Sequence, residues 1–196
     1  MFPEALFAEL EPEAQTDLPF EPPPPVTVAL RQEDAAFVRP ELSLNVLPRT
    51  NRSWEDIRVL LASASAMLNA RSVEDVEQRI LDLALGAFPA GVVAIRRVSN
   101  GVASASSAAR EGHASQLSTL AHDLMKRSET ERVSLLYLGD STVVAAPLLS
   151  QGQVLGSVVL ESSAPGGRLD KHHLQLLTGI AAMAAPALAT QLQLRG

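Results

Sequence analysis

Residues 146–160 read Ala146-Pro147-Leu148-Leu149-Ser150-Gln151-Gly152-Gln153-Val154-Leu155-Gly156-Ser157-Val158-Val159-Leu160, and this stretch decides the fold. Two apolar runs meet at Ser150-Gln151-Gly152-Gln153, so Thr142 to Leu149 and Val154 to Leu160 are expected to form an antiparallel hairpin. Gly152 can take the left-handed conformation that closes the turn. Gly156 lets another backbone or a ligand approach the strand. Pro147 has no ladder donor and marks an edge, a bulge or a strand end.

Working outward, Val133 to Leu138 reads as a strand, preceded by a helix over residues 114–127 with Leu117, Leu120, Ala121, Leu124 and Met125 on one side. Val92-Val93-Ala94-Ile95 is apolar on both faces, as in a central strand. It turns at Ser99-Asn100-Gly101 into a weaker strand, Val102 to Ala109. Two helices come first. One starts at Ser53, with Asp56 as a shortened capping box and Ile57, Leu60, Leu61, Ala64, Met67 and Leu68 at helical spacing. The other starts at Ser72 with Asp75 and buries Val76, Ile80, Leu83, Ala84 and Ala87. Beyond Pro165-Gly166-Gly167, a last helix runs from about Asp170 to Leu192. Hairpins dominate this order, so the sheet is expected to be antiparallel, with helices on its faces: an α+β layered domain.

That order resembles the GAF domain family. The Ala146–Leu160 hairpin carries the resemblance, supported by Ser72 to Ala87 followed by Pro89-Ala90-Gly91-Val92-Val93-Ala94-Ile95, and by Leu169-Asp170 at the head of the last helix. It spans about residues 53–192. It implies a GAF-like antiparallel sheet of five or six strands, helices on both faces, and N- and C-terminal helices packed together. It also implies a sensory or regulatory role in a signal-transduction or transcription-regulating protein.

Composition divides the chain of 196 residues near position 50. Residues 1–50 hold nine acidic and three basic side chains and nine of the thirteen prolines, whereas residues 51–196 hold thirteen charges of each sign. Residues 1–50 are therefore expected to be an acidic, proline-rich linker or extension, partly ordered through segments such as Val26 to Leu30 and Phe37. Residues 51–196 are expected to form the GAF-like body. The near-neutral body has no basic stripe for nucleic acid, the N-terminus lacks a basic leader, and no apolar run is expected to reach membrane-spanning length. A cytoplasmic domain is expected.

The absence of cysteine excludes disulfides, thiol nucleophiles and thioether-linked chromophores. Bilin-binding and methionine-sulfoxide-reducing members of the resembled family need Cys, so neither chemistry is expected here. No P-loop, Ser-His-Asp order or paired-carboxylate spacing appears, and neither an enzyme nor a cofactor is expected. Haem would need one axial His, and His113 and His122 are the candidates, but both read better as polar surface groups. The adjacent His172 and His173 cannot form an i, i+4 metal pair and are expected to be solvated, leaving no metal site. Candidate small-molecule contacts are Arg96, Ser104, Ser106, Arg110, His113, His122 and Tyr137. Arg96 and Arg97 alternate to opposite sheet faces, so one could hold an anionic group.

The last helix carries two apolar stripes. Leu174, Leu177, Ala181, Ala184 and Leu188 form one; Leu176, Ile180, Met183 and Ala187 form the other. A second stripe needs a second partner, either the first helix or another copy. A homodimer through Leu60, Ala64, Leu68, Leu176, Ile180, Met183 and Ala187 is expected. Two functions stay open: a sensor that binds an unidentified small molecule and transmits its state through the terminal helices, or a ligand-free scaffold for dimerisation or protein contacts.

Overall fold

The hairpin quoted above forms the centre of the sheet. The computed structural model describes residues 26–38, 51–99, 102–113, 116–163 and 167–195. Its strands are β1 (Val26–Leu30), β2 (Val92–Ser99), β3 (Val102–Ala109), β4 (Ser134–Leu138), β5 (Ser141–Ser150) and β6 (Gln153–Ser163). Its helices are α1 (Asn51–Leu68), α2 (Val73–Ala87), α3 (Thr119–Glu131) and α4 (Lys171–Gln193). The sheet order is β1-β4-β5-β6-β2-β3, and every neighbouring pair is antiparallel.

The turn works as its residues require. Gln151 and Gly152 both take positive φ, 49° and 75°, the two-residue geometry whose twist matches the strands. Gly156 meets β2: an added Cβ would lie 1.9 Å from the Arg96 carbonyl oxygen. The close approach foreseen for this glycine is therefore backbone against backbone. Pro147 pairs with Ser157 of β6, while β4 ends its pairing at Leu135–Ala145. β5 thus overruns β4, and the missing N–H interrupts no ladder.

Alternation along the strands makes two cores. On one face, Val93, Ile95, Leu136, Val144, Ala146, Leu148, Val158 and Leu160 meet Ile80, Ala84, Phe88, Leu174, Leu177 and Ile180 under α2 and α4. On the other, Ala94, Leu135, Val143, Ala145 and Val159 meet Ala121, Leu124 and Met125 of α3. Each fully buried large side chain contributes about 1.5–3 kcal/mol. The α+β architecture with helices on both faces is as expected, and α1 packs on α4.

Local signals fix the helix starts. Ser72 Oγ accepts from Asp75 N at 3.1 Å, and Ser118 Oγ accepts from Ala121 N at 3.1 Å. Asp170 caps α4 by accepting from His173 N, and His173 closes the reciprocal half of the capping box. His173 is therefore not solvated as expected. Nor is His172, whose Nε2 lies 2.9 Å from Oδ1 of the buried Asp56 and ties α4 to α1. Asp56 consequently serves the helix pair rather than a capping box, and α1 begins at Asn51, before Ser53. The third helix begins at Thr119, later than residue 114, because Ser118 is its cap.

The extension contributes structure. β1 adds to the edge of the sheet beside β4. Ala36 N donates to Gln175 Oε1 at 2.8 Å, and Phe37 packs against α4, where an added Cβ at Gly179 would come within 3.0 Å of it. The folded unit therefore reaches back across the compositional boundary near residue 50. The expectations for residues 1–25 and 39–50, the Asn100-Gly101 turn and Pro165-Gly166 lie outside the described residues. One further expectation is corrected. α4 does have the length and mean hydropathy, 1.2, of a membrane-spanning helix, but 56% of that window is buried inside the domain.

Candidate functional site

The α3 face of the sheet carries a cluster of partly buried polar side chains around the buried Ser157. Ser157, Val159 and Glu161 alternate onto this face of β6, and Arg96 joins them from β2, opposite Ser157 in the register. From α3, Glu129 comes down at i+4 from Met125, continuing the buried stripe with a carboxylate. It forms an ion pair with Arg96 and accepts a hydrogen bond from Ser157 Oγ at 2.7 Å. At the other end of α3, Glu161 Oε2 accepts from Ser118 N at 2.9 Å, placing a carboxylate at the positive helix start. Two acids thus pin both ends of α3 to the sheet.

Between these pins the space is filled. Ala121, Leu124 and Met125 close onto Ala94, Leu135, Val143, Ala145 and Val159, all at most 4% exposed. Chemically, the arrangement holds a cation and a carboxylate in mutual neutralisation over a dry apolar layer. Removing either partner would leave a poorly compensated charge.

The seven candidate contact residues do not converge. Arg96 faces α3, whereas Ser104 and Ser106 lie on the opposite face, across from Arg97 and Ile95 of β2. There Ser106 Oγ donates to Glu77 Oε2 at 3.0 Å, and Arg97 Nε lies 3.0 Å from Glu77 Oε1 without the alignment of a hydrogen bond. The two arginines do take opposite faces, and each meets a carboxylate. Arg110 is structural. Its guanidinium donates to the carbonyls of Leu85 (2.5 Å), Phe88 (2.7 Å) and Ala90 (2.9 Å), satisfying the C-terminal end of α2.

His113 is exposed and lies over Gly91, whose added Cβ would be 2.3 Å from its ring. His122 is exposed on α3 and bonds back to Ser118 O. Tyr137 is on the α3 face, but its ring folds over Gly139. Among the described residues, no group of three His, Asp or Glu side chains is placed to hold a metal ion.

The helix-pairing set also divides. Leu176 and Ile180 are buried in the domain's own core, and Leu60 packs on α4 beside Gly179. These three therefore belong to the monomer rather than to a dimer face. Ala64, Leu68, Met183 and Ala187 remain together, lining a groove of about 460 Å³ between α1 and α4 with Met67, Ala70, Pro186, Thr190 and Gln191.

Sequence reasoning missed Glu77, Glu129, Ser157 and Glu161. The available signal was a charge or hydroxyl in phase with a buried stripe, as Glu77 is with Val73 and Ile80. Such a residue implies a partner across the layer.

The family model described as GAF domain matches residues 55–188. No curated protein matches the chain in sequence. In fold, the chain is similar to the GAF domain of a phosphoenolpyruvate-protein phosphotransferase from Acinetobacter, at 12% identity over 74% of this chain and 96% of that one, TM-score 0.53. It is also similar to a free methionine-R-sulfoxide reductase from Neisseria meningitidis in complex with its substrate, at 12% identity, 76% and 96% coverage, TM-score 0.55. A third neighbour is the GAF domain of a potassium sensor histidine kinase from Escherichia coli, at 17% identity, 70% and 95% coverage, TM-score 0.50. At these identities the likeness is one of fold alone.

Proposed function

Because the chain belongs to the GAF domain family, most of whose members are regulatory and sensory domains of signalling proteins, we propose that it is a regulatory module working as a scaffold for protein contacts. In this reading it is neither an enzyme nor a chromophore carrier, acts in the cytoplasm, and passes state through its terminal helices to a signalling or transcriptional output. One observation carries the reading: the space between α3 and the sheet is closed by packed apolar side chains, and its one strong anion-binding group, Arg96, is already engaged by Glu129. Native mass spectrometry of the purified protein tests this. A mass equal to that of the polypeptide, with no adduct released on unfolding, supports a scaffold. A stoichiometric co-purifying small molecule refutes it.

The small-molecule sensor has one supporting observation. The Arg96 side chain keeps 26% exposure, and the neighbouring β3 residues on its face, Ala105 and Ser107, are small and exposed. In that reading an anionic metabolite would rest on this shelf in competition with Glu129. A bound mass that disappears in Arg96→Ala would establish it.

A further inference from the structure

Helix α1 has two uses for its side chains, and the fold accounts for one. Asp56, Val59, Leu60, Ser63, Ala66 and Met67 face the domain. Trp54, Ile57, Leu61, Ala64 and Leu68 fall at alternating spacings of three and four, the seam of a heptad repeat. That seam is open: Trp54 is 70% exposed, Ile57 37%, Leu61 65% and Leu68 87%. A continuous apolar stripe left exposed beside the face that packs on the domain marks a contact surface.

The same face carries the groove between α1 and α4, but only at the C-terminal end of α1, beside Ala64 and Leu68. Knob and hole therefore sit on one surface, separated along the helix. Trp54 lies about four turns, or about 21 Å, from Leu68. Leu61 is midway between them. A two-fold axis at Leu61 that runs two α1 helices antiparallel brings Trp54 of each copy opposite the groove of the other. A parallel pair would stack Trp54 on Trp54 and leave both grooves open.

We propose that this face pairs with a second copy of the chain, antiparallel about Leu61, with Trp54 of each protomer seated in the other's α1–α4 groove. The contact is isologous and closes, as a two-fold pair must. Trp54, Leu61 and Leu68 alone leave on the order of 500 Å² of apolar surface per copy, so pairing buries on the order of 1,000 Å² before their neighbours are counted, the lower bound for a stable specific interface. A Trp seated in an apolar pocket, here one at each end of the seam with Leu61 between them, is also the kind of anchor on which such interfaces concentrate their affinity. The inference rests on the scaffold reading and names its partner and surface.

The chain has a single Trp and no Cys, which makes the test direct. Sedimentation velocity of the whole protein across 1–100 μM should show a monomer–dimer equilibrium, and Trp54 emission should shift to the red as the dimer dissociates. Leu61→Arg, which sets two cations against each other on the axis, and Trp54→Ala should each weaken pairing at least 100-fold with helicity retained and with the melting temperature of the wild-type monomer at low concentration. Leu194→Arg, at an exposed site outside the groove, should leave pairing unchanged. In the antiparallel arrangement, oxidation cross-links Leu61→Cys, whereas Leu68→Cys stays uncross-linked.

A monomer at 100 μM overturns the proposal, as does a dimer insensitive to both seam variants. A self-cross-linked Leu68→Cys overturns the antiparallel arrangement. A dimer that survives the seam variants, free of small-molecule adduct, would sink this surface while sparing the scaffold. A co-purifying ligand would sink the scaffold itself.

Discussion

Replacing glycine by alanine at three positions should give effects that differ in size and in sign. At Gly156 the new Cβ would lie 1.9 Å from the Arg96 carbonyl oxygen and 2.9 Å from Arg97 Cα, at a φ of +151°. Relief requires moving β2 away from β6 in the middle of the sheet. Backbone strain costs about 1–3 kcal/mol, and the displaced ladder and overpacked core add about as much, so Gly156→Ala should lose roughly 3–5 kcal/mol. At Gly152 the Cβ has open space but φ is +75°, so only the left-handed cost of about 1–2 kcal/mol applies. Gly86 is exposed within α2 with nothing inside 4 Å, and Gly86→Ala should gain about 0.5–1 kcal/mol. Urea unfolding monitored by far-ultraviolet circular dichroism ranks the three. At about 2–4 °C per kcal/mol for a domain of this size, Gly156→Ala should lower the melting temperature by roughly 6–20 °C. A loss below about 1 kcal/mol at Gly156, or a loss at Gly86, would refute the contact argument.

Arg110→Ala removes three hydrogen bonds to the end of α2 and should cost on the order of 1–3 kcal/mol by thermal melting, with hydrogen exchange quickening at residues 85–91. Pro186→Ala restores a donor to the carbonyl of Ala182 inside α4 and should raise the melting temperature, since proline costs about 3 kcal/mol in a helix interior; an unchanged melting temperature would contradict this. Glu74 should titrate at about 2 instead of 4.5, chiefly because its carboxylate accepts hydrogen bonds from Arg195. A depressed carboxyl pKa contributes stability that is complete above about pH 4.5 and fades as pH falls toward 2. Carboxyl chemical shifts should show this midpoint, and Arg195→Ala should move it back up.

The element order was legible because period and punctuation agree along most of the body. The apolar hairpin, the Ser72 cap and the stripe of α4 each point the same way, so local preference and tertiary packing coincide. The site was less legible because its residues are tied by cross-layer pairing, which spacing does not encode. Nothing near Glu129 in the chain announces Arg96, thirty-three positions earlier. Arg110 reads as a ligand group because a polar side chain near a strand end looks the same whether it meets a ligand or, as here, the carbonyls at the end of a neighbouring helix. His172 and His173 read as solvated because spacing within one helix shows neither the crossing helix that brings Asp56 to His172 nor the reciprocal cap that His173 closes with Asp170. Leu176 and Ile180 read as a second face for another copy, but α4 is enclosed on more than one side, so both stripes begin inside the core.

The edge strand drawn from the extension changes how this protein should be cut. A fragment begun at residue 51, where charge and proline content change, would discard Val26–Leu30 and strip β4 of its neighbour. The bared row of amides and carbonyls beside Ser134–Leu138 would recruit strands from other molecules, so clumping by such a fragment would report the missing strand rather than the behaviour of the intact protein. Tension on the N-terminal segment would open that pairing one rung at a time, making the first strand a part of this sheet that pulling can peel away.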